Sequence, residues 1–144
     1  MGLDIRCNGF ESVRVGSYST VHLIRKDWIN AYIGYLKSIK ADEDLIVKLE
    51  KTITREDRID YRLFEGLYTT IEKGFDGLYT FVNHSDCDGI WTHEEIGYIL
   101  ETLHLIRIHL KENTFTWHFL QDGRYYLEDL FEYSVQNQQD VILC

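Results

Sequence analysis

A chain of 144 residues is the usual size of one domain and buries roughly 70% of its unfolded surface, so it needs no disulfide or metal staple to build a core. Apolar residues at 44%, with 7 Phe, 10 Tyr and 3 Trp, exclude a disordered polypeptide. Fifteen Lys and Arg against 24 Asp and Glu give a net charge of −9, which repels phosphate backbones and argues against direct DNA or RNA binding.

Leu3 and Ile5 alternate with Asp4 and Arg6, which predicts a strand over Gly2–Cys7, with Phe10–Val15 returning against it across the Asn8-Gly9 turn. From Val21 the apolar period becomes helical. Val21, Ile24, Trp28, Tyr32, Tyr35 and Ile39 fall on one face, Gly16-Ser17-Tyr18-Ser19-Thr20 supplies the leading loop and cap, and the helix should end near Lys40. Asp42 caps a shorter helix carrying Leu45, Ile46 and Leu49. Thr54-Arg55-Glu56-Asp57 is expected to open another, carrying Ile59, Leu63, Leu67 and Ile71 and closed by Gly74. Gly74 and Gly77 then mark a break before Leu78–Val82, whose aromatic and β-branched content predicts a strand.

Thr92-His93-Glu94-Glu95 is a capping box, followed by a helical face of Ile96, Ile99, Leu100, Leu103, Ile106 and Leu110. Residues 114–120 fit either a strand turning at Asp122-Gly123 or further helix. A helix around Leu127–Gln136 and a terminal strand at Val141–Leu143 complete the chain. With no repeat, low-complexity tract or proline to announce a linker, the expectation is a single α+β domain over 1–144, mainly helical, with a small, mostly antiparallel sheet.

No apolar run approaches the roughly 18 residues a bilayer span requires, and the N-terminus lacks the layout of a signal peptide, so a cytoplasmic protein without membrane contact is expected. Arg6 stands where a myristoylation pattern wants Ser or Thr. Cys7, Cys87 and Cys144 contain no CxxC pair and read as free thiols.

The segment richest in chemistry is His84-Ser85-Asp86-Cys87-Asp88-Gly89. With Gly89 as the sixth position of a calcium loop, His84 is first, Asp86 third, Asp88 fifth, Thr92 ninth and Glu95 twelfth. Alternate carboxylates then turn inward, the glycine permits the bend, and the following helix delivers a Glu able to bind through both oxygens. Two features depart from that pattern: an imidazole replaces the first carboxylate, and Gly74 and Gly77 interrupt the incoming helix. The candidate metal ligands are therefore His84, Asp86, Asp88 and Glu95, for calcium or a more nitrogen-tolerant ion such as manganese.

A second reading needs no ion: Asp86 and Asp88 accept backbone N–H bonds in a tight turn, and Glu95 completes the capping box. A third is catalytic. The His-x-Asp-x-Asp-Gly string resembles the first metal motif of the DHH phosphoesterases, which implies a manganese-dependent hydrolase, although the rest of that pattern is missing. Cys87 lies between two Asp residues, whose charge raises a thiol pKa, and no catalytic residue is assigned. His104 and His109 are five apart, on different sides of a helix, and do not form a ligand pair. The Gly16–Thr20 loop has one glycine and no P-loop lysine, so capping explains it better than phosphate binding.

Three strings taken together, Met1-Gly2-Leu3-Asp4-Ile5, Gly16-Ser17-Tyr18-Ser19 leading into a helix with Arg25, and Asn83 through Gly89, resemble a family of small uncharacterised proteins of phages, bacteria and large DNA viruses. The resemblance spans the first two thirds of the chain and brings no activity with it. It implies that the N-terminal strand, the Gly-Ser-Tyr-Ser loop and the Asp-rich loop converge on one surface, with Asp4, Ser17, Tyr18, Ser19 and Asn83 as binding residues. The expected function is a noncatalytic binding protein, a viral or phage accessory acting on a host factor, with protein as its partner. The alternatives are a metal-dependent hydrolase using His84, Asp86 and Asp88, and a calcium-responsive domain.

Overall fold

The computed structural model describes residues 2–41, 43–67, 76–83, 89–110 and 127–144. In chain order these form β1 (Gly2–Cys7), β2 (Val13–Ser17), α1 (Tyr18–Ser38), α2 (Glu43–Lys51), α3 (Tyr61–Gly66), α4 (Asp76–Val82), β3 (Gly89–Trp91), α5 (His93–Ile106), α6 (Leu127–Asn137) and β4 (Val141–Leu143). A 3-10 turn, Arg107–His109, follows α5. The class is α+β and mainly helical, with one four-stranded antiparallel sheet in the order β2-β1-β4-β3. Among the described residues no helix is long and apolar enough to cross a membrane.

The hairpin forms, but its return strand starts at Val13 rather than Phe10. Gly9, at φ +88°, makes the turn, Phe10 donates its N–H back to Cys7 at 3.0 Å, and its ring leaves the ladder to pack on Tyr133 of α6 at 5.3 Å between centroids. Leu3, Ile5, Val13, Val15, Trp91, Val141 and Leu143 point into the core, while Arg6, Arg14, Ile90 and Ile142 face outward. Period-two alternation thus gives the sheet one buried face.

Ser17 caps α1, its hydroxyl accepting the Thr20 N–H at 3.3 Å. The expected stripe Val21, Ile24, Trp28 and Tyr32 is buried, and Ile29, Ala31, Ile33 and Leu36 widen it. Ile39 is 53% exposed because the helix has already ended, with Lys40 at φ +52°. On α2, Ile46 and Leu49 are the buried residues, and Asp42 lies outside the described residues.

Two sequence expectations are overturned. Residues 54–57 do not open a helix: Thr54 donates to the Arg58 carbonyl at 2.7 Å, Asp57 adopts φ +62°, and Ile53 bridges Ile59, closing a tight loop. The helix starts later, at Tyr61, where the Asp60 carboxylate accepts the N–H groups of Arg62 and Leu63. Phe64 is its buried residue, and Leu63 is 51% exposed. Ile71 and Gly74 lie outside the described residues.

Leu78–Val82 belongs to helix α4, not to a strand. Leu78, Phe81 and Val82 are buried at positions i, i+3 and i+4, and burial against α5 overrides their β propensity. The sheet takes Gly89–Trp91 as its third contributor instead, with Gly89↔Leu143, Ile90↔Ile142 and Trp91↔Val141 in register. Residues 114–126, compatible by sequence with strand or helix, lie outside the described residues.

α5 carries the expected capping box: Thr92 Oγ1 accepts the Glu95 N–H at 3.2 Å and Glu95 Oε1 accepts the Thr92 N–H at 3.1 Å. Ile96, Ile99, Leu103 and Ile106 are fully buried behind it. Thr92→Ala is expected to lower stability by about 1 kcal/mol, read from the shift of the urea midpoint at constant slope. Cys7 and Cys144 are free thiols, as expected; Cys7 is buried, and burial, aided by the Asp140 carboxylate, pushes its thiol pKa up.

Candidate functional site

A groove of about 520 Å³ opens between the first half of α1 and the loop that leads into α3. One wall is Ser19, His22, Leu23 and Lys26, spaced i, i+3, i+4 and i+7, so they form a single stripe beside the core stripe of the same helix. The other wall is Glu56, Asp57, Arg58, Ile59 and Tyr61.

The two walls are joined at two points. His22 Nδ1 lies 2.6 Å from the Tyr61 hydroxyl with the rings edge to face, and Lys26 makes an ion pair with Asp57. Under the groove, Arg25 is only 3% exposed and donates from Nη1 to the Tyr61 hydroxyl at 3.4 Å. The Tyr61 hydroxyl therefore bridges the buried guanidinium and the His22 imidazole. Buried Arg25 thus fixes Tyr61, and Tyr61 fixes the imidazole.

Between these polar links the groove is apolar, with Leu23 37% exposed and Ile59 half-buried. The charges around it are of both signs: Lys26 and Arg58 against Glu56 and Asp57. Because His22 is paired with Tyr61 and Lys26 with Asp57, the polar groups hold the walls together and the apolar surface is what the groove offers a ligand.

Of the residues singled out in the sequence, Ser19 lines this groove. Asp4 lies on β1, ion-paired with Arg14 at 3.0 Å, its backbone exchanging hydrogen bonds with Cys144. Ser17 is occupied in capping, its hydroxyl 3.1 Å from Thr20 Oγ1. Tyr18 begins α1, and its side chain lies outside the described residues. Asn83 follows α4 and donates from Nδ2 to the Tyr79 hydroxyl at 2.9 Å. Glu95 has one carboxylate oxygen in the capping box. His84, Asp86 and Asp88 lie outside the described residues.

Sequence reasoning missed His22, Lys26 and Tyr61 as partners. The i, i+3, i+4, i+7 stripe on α1 was the available signal for the first two. No family model, curated protein or solved structure matches the chain.

Proposed function

We propose that the protein is a noncatalytic interaction module that seats a segment of a partner protein in the groove between α1 and the loop at 54–59. The observation that carries this reading is the groove itself, an apolar strip of Leu23, Ile59 and the Tyr61 ring bordered by charges of both signs. A volume of about 520 Å³ takes an apolar side chain and its neighbours, which is the scale of a peptide anchor in a hydrophobic cleft. The balanced rim favours neither a polyanion nor a polycation, and the net charge of −9 disfavours nucleic acid. The partner envisaged is a host factor, with the protein acting as a phage or viral accessory.

The test is selection from a displayed library of random peptides against the full chain, followed by affinity measurement on three proteins. Selected peptides share an apolar anchor, Leu23→Asp weakens them by about tenfold or more, equivalent to 1.4 kcal/mol, and Val47→Asp, on the exposed side of α2, leaves affinity unchanged. Peptides that bind the Leu23→Asp protein as well as the parent, or no enrichment at all, would remove the groove from consideration.

A further inference from the structure

His104 on α5 meets Glu128 and Glu132 on α6. One ligand atom from each of the three residues lies within 4.8 Å of the other two. Glu128 and Glu132 are one helical turn apart and share a face of α6, while His104 comes from the last turn of the helix packed against it.

We propose that these three side chains form a divalent transition-metal site, of which zinc is the best-suited occupant, clasping α5 to α6. Nothing in the proposal depends on the groove at α1. Nε2 of His104 and Oε1 of Glu128 are 3.6 Å apart, close to the edge of about 3.4 Å that two ligands at zinc bond lengths subtend in a tetrahedron. The second oxygen of Glu128 is bound by the Arg107 guanidinium, which turns the first oxygen toward His104; ligating carboxylates are oriented by such outer partners. Glu128 is held in place further by its position, with its side chain only 14% exposed.

The donor set selects the ion. One imidazole and two carboxylates suit zinc or cobalt, whereas calcium and magnesium want oxygen alone. The two carboxylates and Arg107 sum to −1, so a divalent ion here faces a net negative charge. Three protein ligands leave a fourth position for water. His109, the other histidine of this region, faces Tyr35 of α1 at 6.3 Å between ring centroids and belongs to a different surface. The competing account is electrostatic: His104 and Arg107 sit at the C-terminal end of α5, where cations offset the helix dipole, with Glu128 as counter-ion. That account gives no role to Glu132.

The experiment titrates chelator-stripped full chain with cobalt(II), then displaces the cobalt with zinc, and records thermal melts in parallel. The expected result is the visible ligand-field absorption of low-coordinate cobalt, lost when zinc is added, and a zinc-dependent rise in melting temperature of about 5 °C or more at saturation. His104→Ala and Glu132→Gln each abolish both signals while leaving the metal-free melting temperature within about 1 °C of the parent, as expected for an exposed His104 and for an isosteric change at the half-buried Glu132. Absence of the absorption, or its survival in both variants, overturns the site. So does a near-ultraviolet thiolate-to-cobalt band that disappears in Cys144→Ser, or a signal lost only in Asp88→Ala, since either places the ion elsewhere.

Discussion

Replacing Gly77 by alanine is expected to destabilise the protein by about 3 kcal/mol, measured as a fall in the urea midpoint. A β-carbon at this position would lie 2.0 Å from the Tyr98 carbonyl oxygen, 2.6 Å from its carbon and 2.2 Å from Thr102 Oγ1. Two of those three atoms are backbone and cannot rotate away, so α4 and α5 would have to separate along the line where Leu78, Phe81 and Val82 are buried. Intrinsic helix propensity predicts the opposite sign, since alanine is favoured over glycine inside a helix by about 1 kcal/mol. Gly97 on α5 supplies the control, because a β-carbon there meets nothing within 4 Å and Gly97→Ala should stabilise by about 0.5–1 kcal/mol. A Gly77→Ala protein as stable as the parent would mean that α4 does not approach α5 as closely as described.

The second large effect centres on Trp28. It is fully buried and stacked on Phe81 of α4, with ring centroids 3.9 Å apart and an interplanar angle of 17°. Trp28→Ala is expected to cost about 4 kcal/mol, from lost contact and the cavity left behind. Trp28→Phe should cost far less, about 1 kcal/mol, for a reason beyond size. The indole Nε1 is buried with no hydrogen-bond partner among the described residues, so the substitution removes a polar group whose desolvation is uncompensated. Equilibrium unfolding of the two variants measures the difference, and equal losses would contradict both the stacking and the unpaired N–H.

Periodicity and capping chemistry make most of the elements legible in the amino-acid sequence. The hairpin, α1, α2, α5, α6 and β4 follow from the alternation of Leu3 and Ile5, the stripe from Val21 to Tyr32, and the Thr92–Glu95 box. Leu78–Val82 misleads because short aromatic and β-branched runs signal strand by composition, while the spacing 78, 81, 82 signals helix; burial decides for the spacing. Gly77 reads as a breaker, and it is instead a point of close helix contact, which depends on Tyr98 and Thr102. At 54–60, both Thr54 and Asp60 are plausible caps by residue type, and only the Thr54–Arg58 hydrogen bond and the Ile53–Ile59 bridge distinguish the turn from the true cap at Asp60.

The sites are harder to read. One wall of the groove is a local stripe on α1, legible in principle, but Asp57 and Tyr61 arrive from more than thirty residues away through α2. His104 likewise meets Glu128 and Glu132 only because α5 packs on α6. Residue types in a pattern mark a site when the ligands are neighbours in sequence, and neither of these sites is built that way.

The sheet order carries a consequence for biosynthesis. β4 lies between β1 and β3, so Ile5 pairs with Leu143 and the Asp4 backbone is bonded to Cys144. On the ribosome, β1 and β2 can fold as a hairpin early, yet the edge of β1 that β4 covers stays open until residues 141–143 have emerged, and among the described residues β3 has no other strand to join before then. From the emergence of β1 until that of β4 the nascent chain therefore carries an unpaired strand edge, an interval open to misassembly.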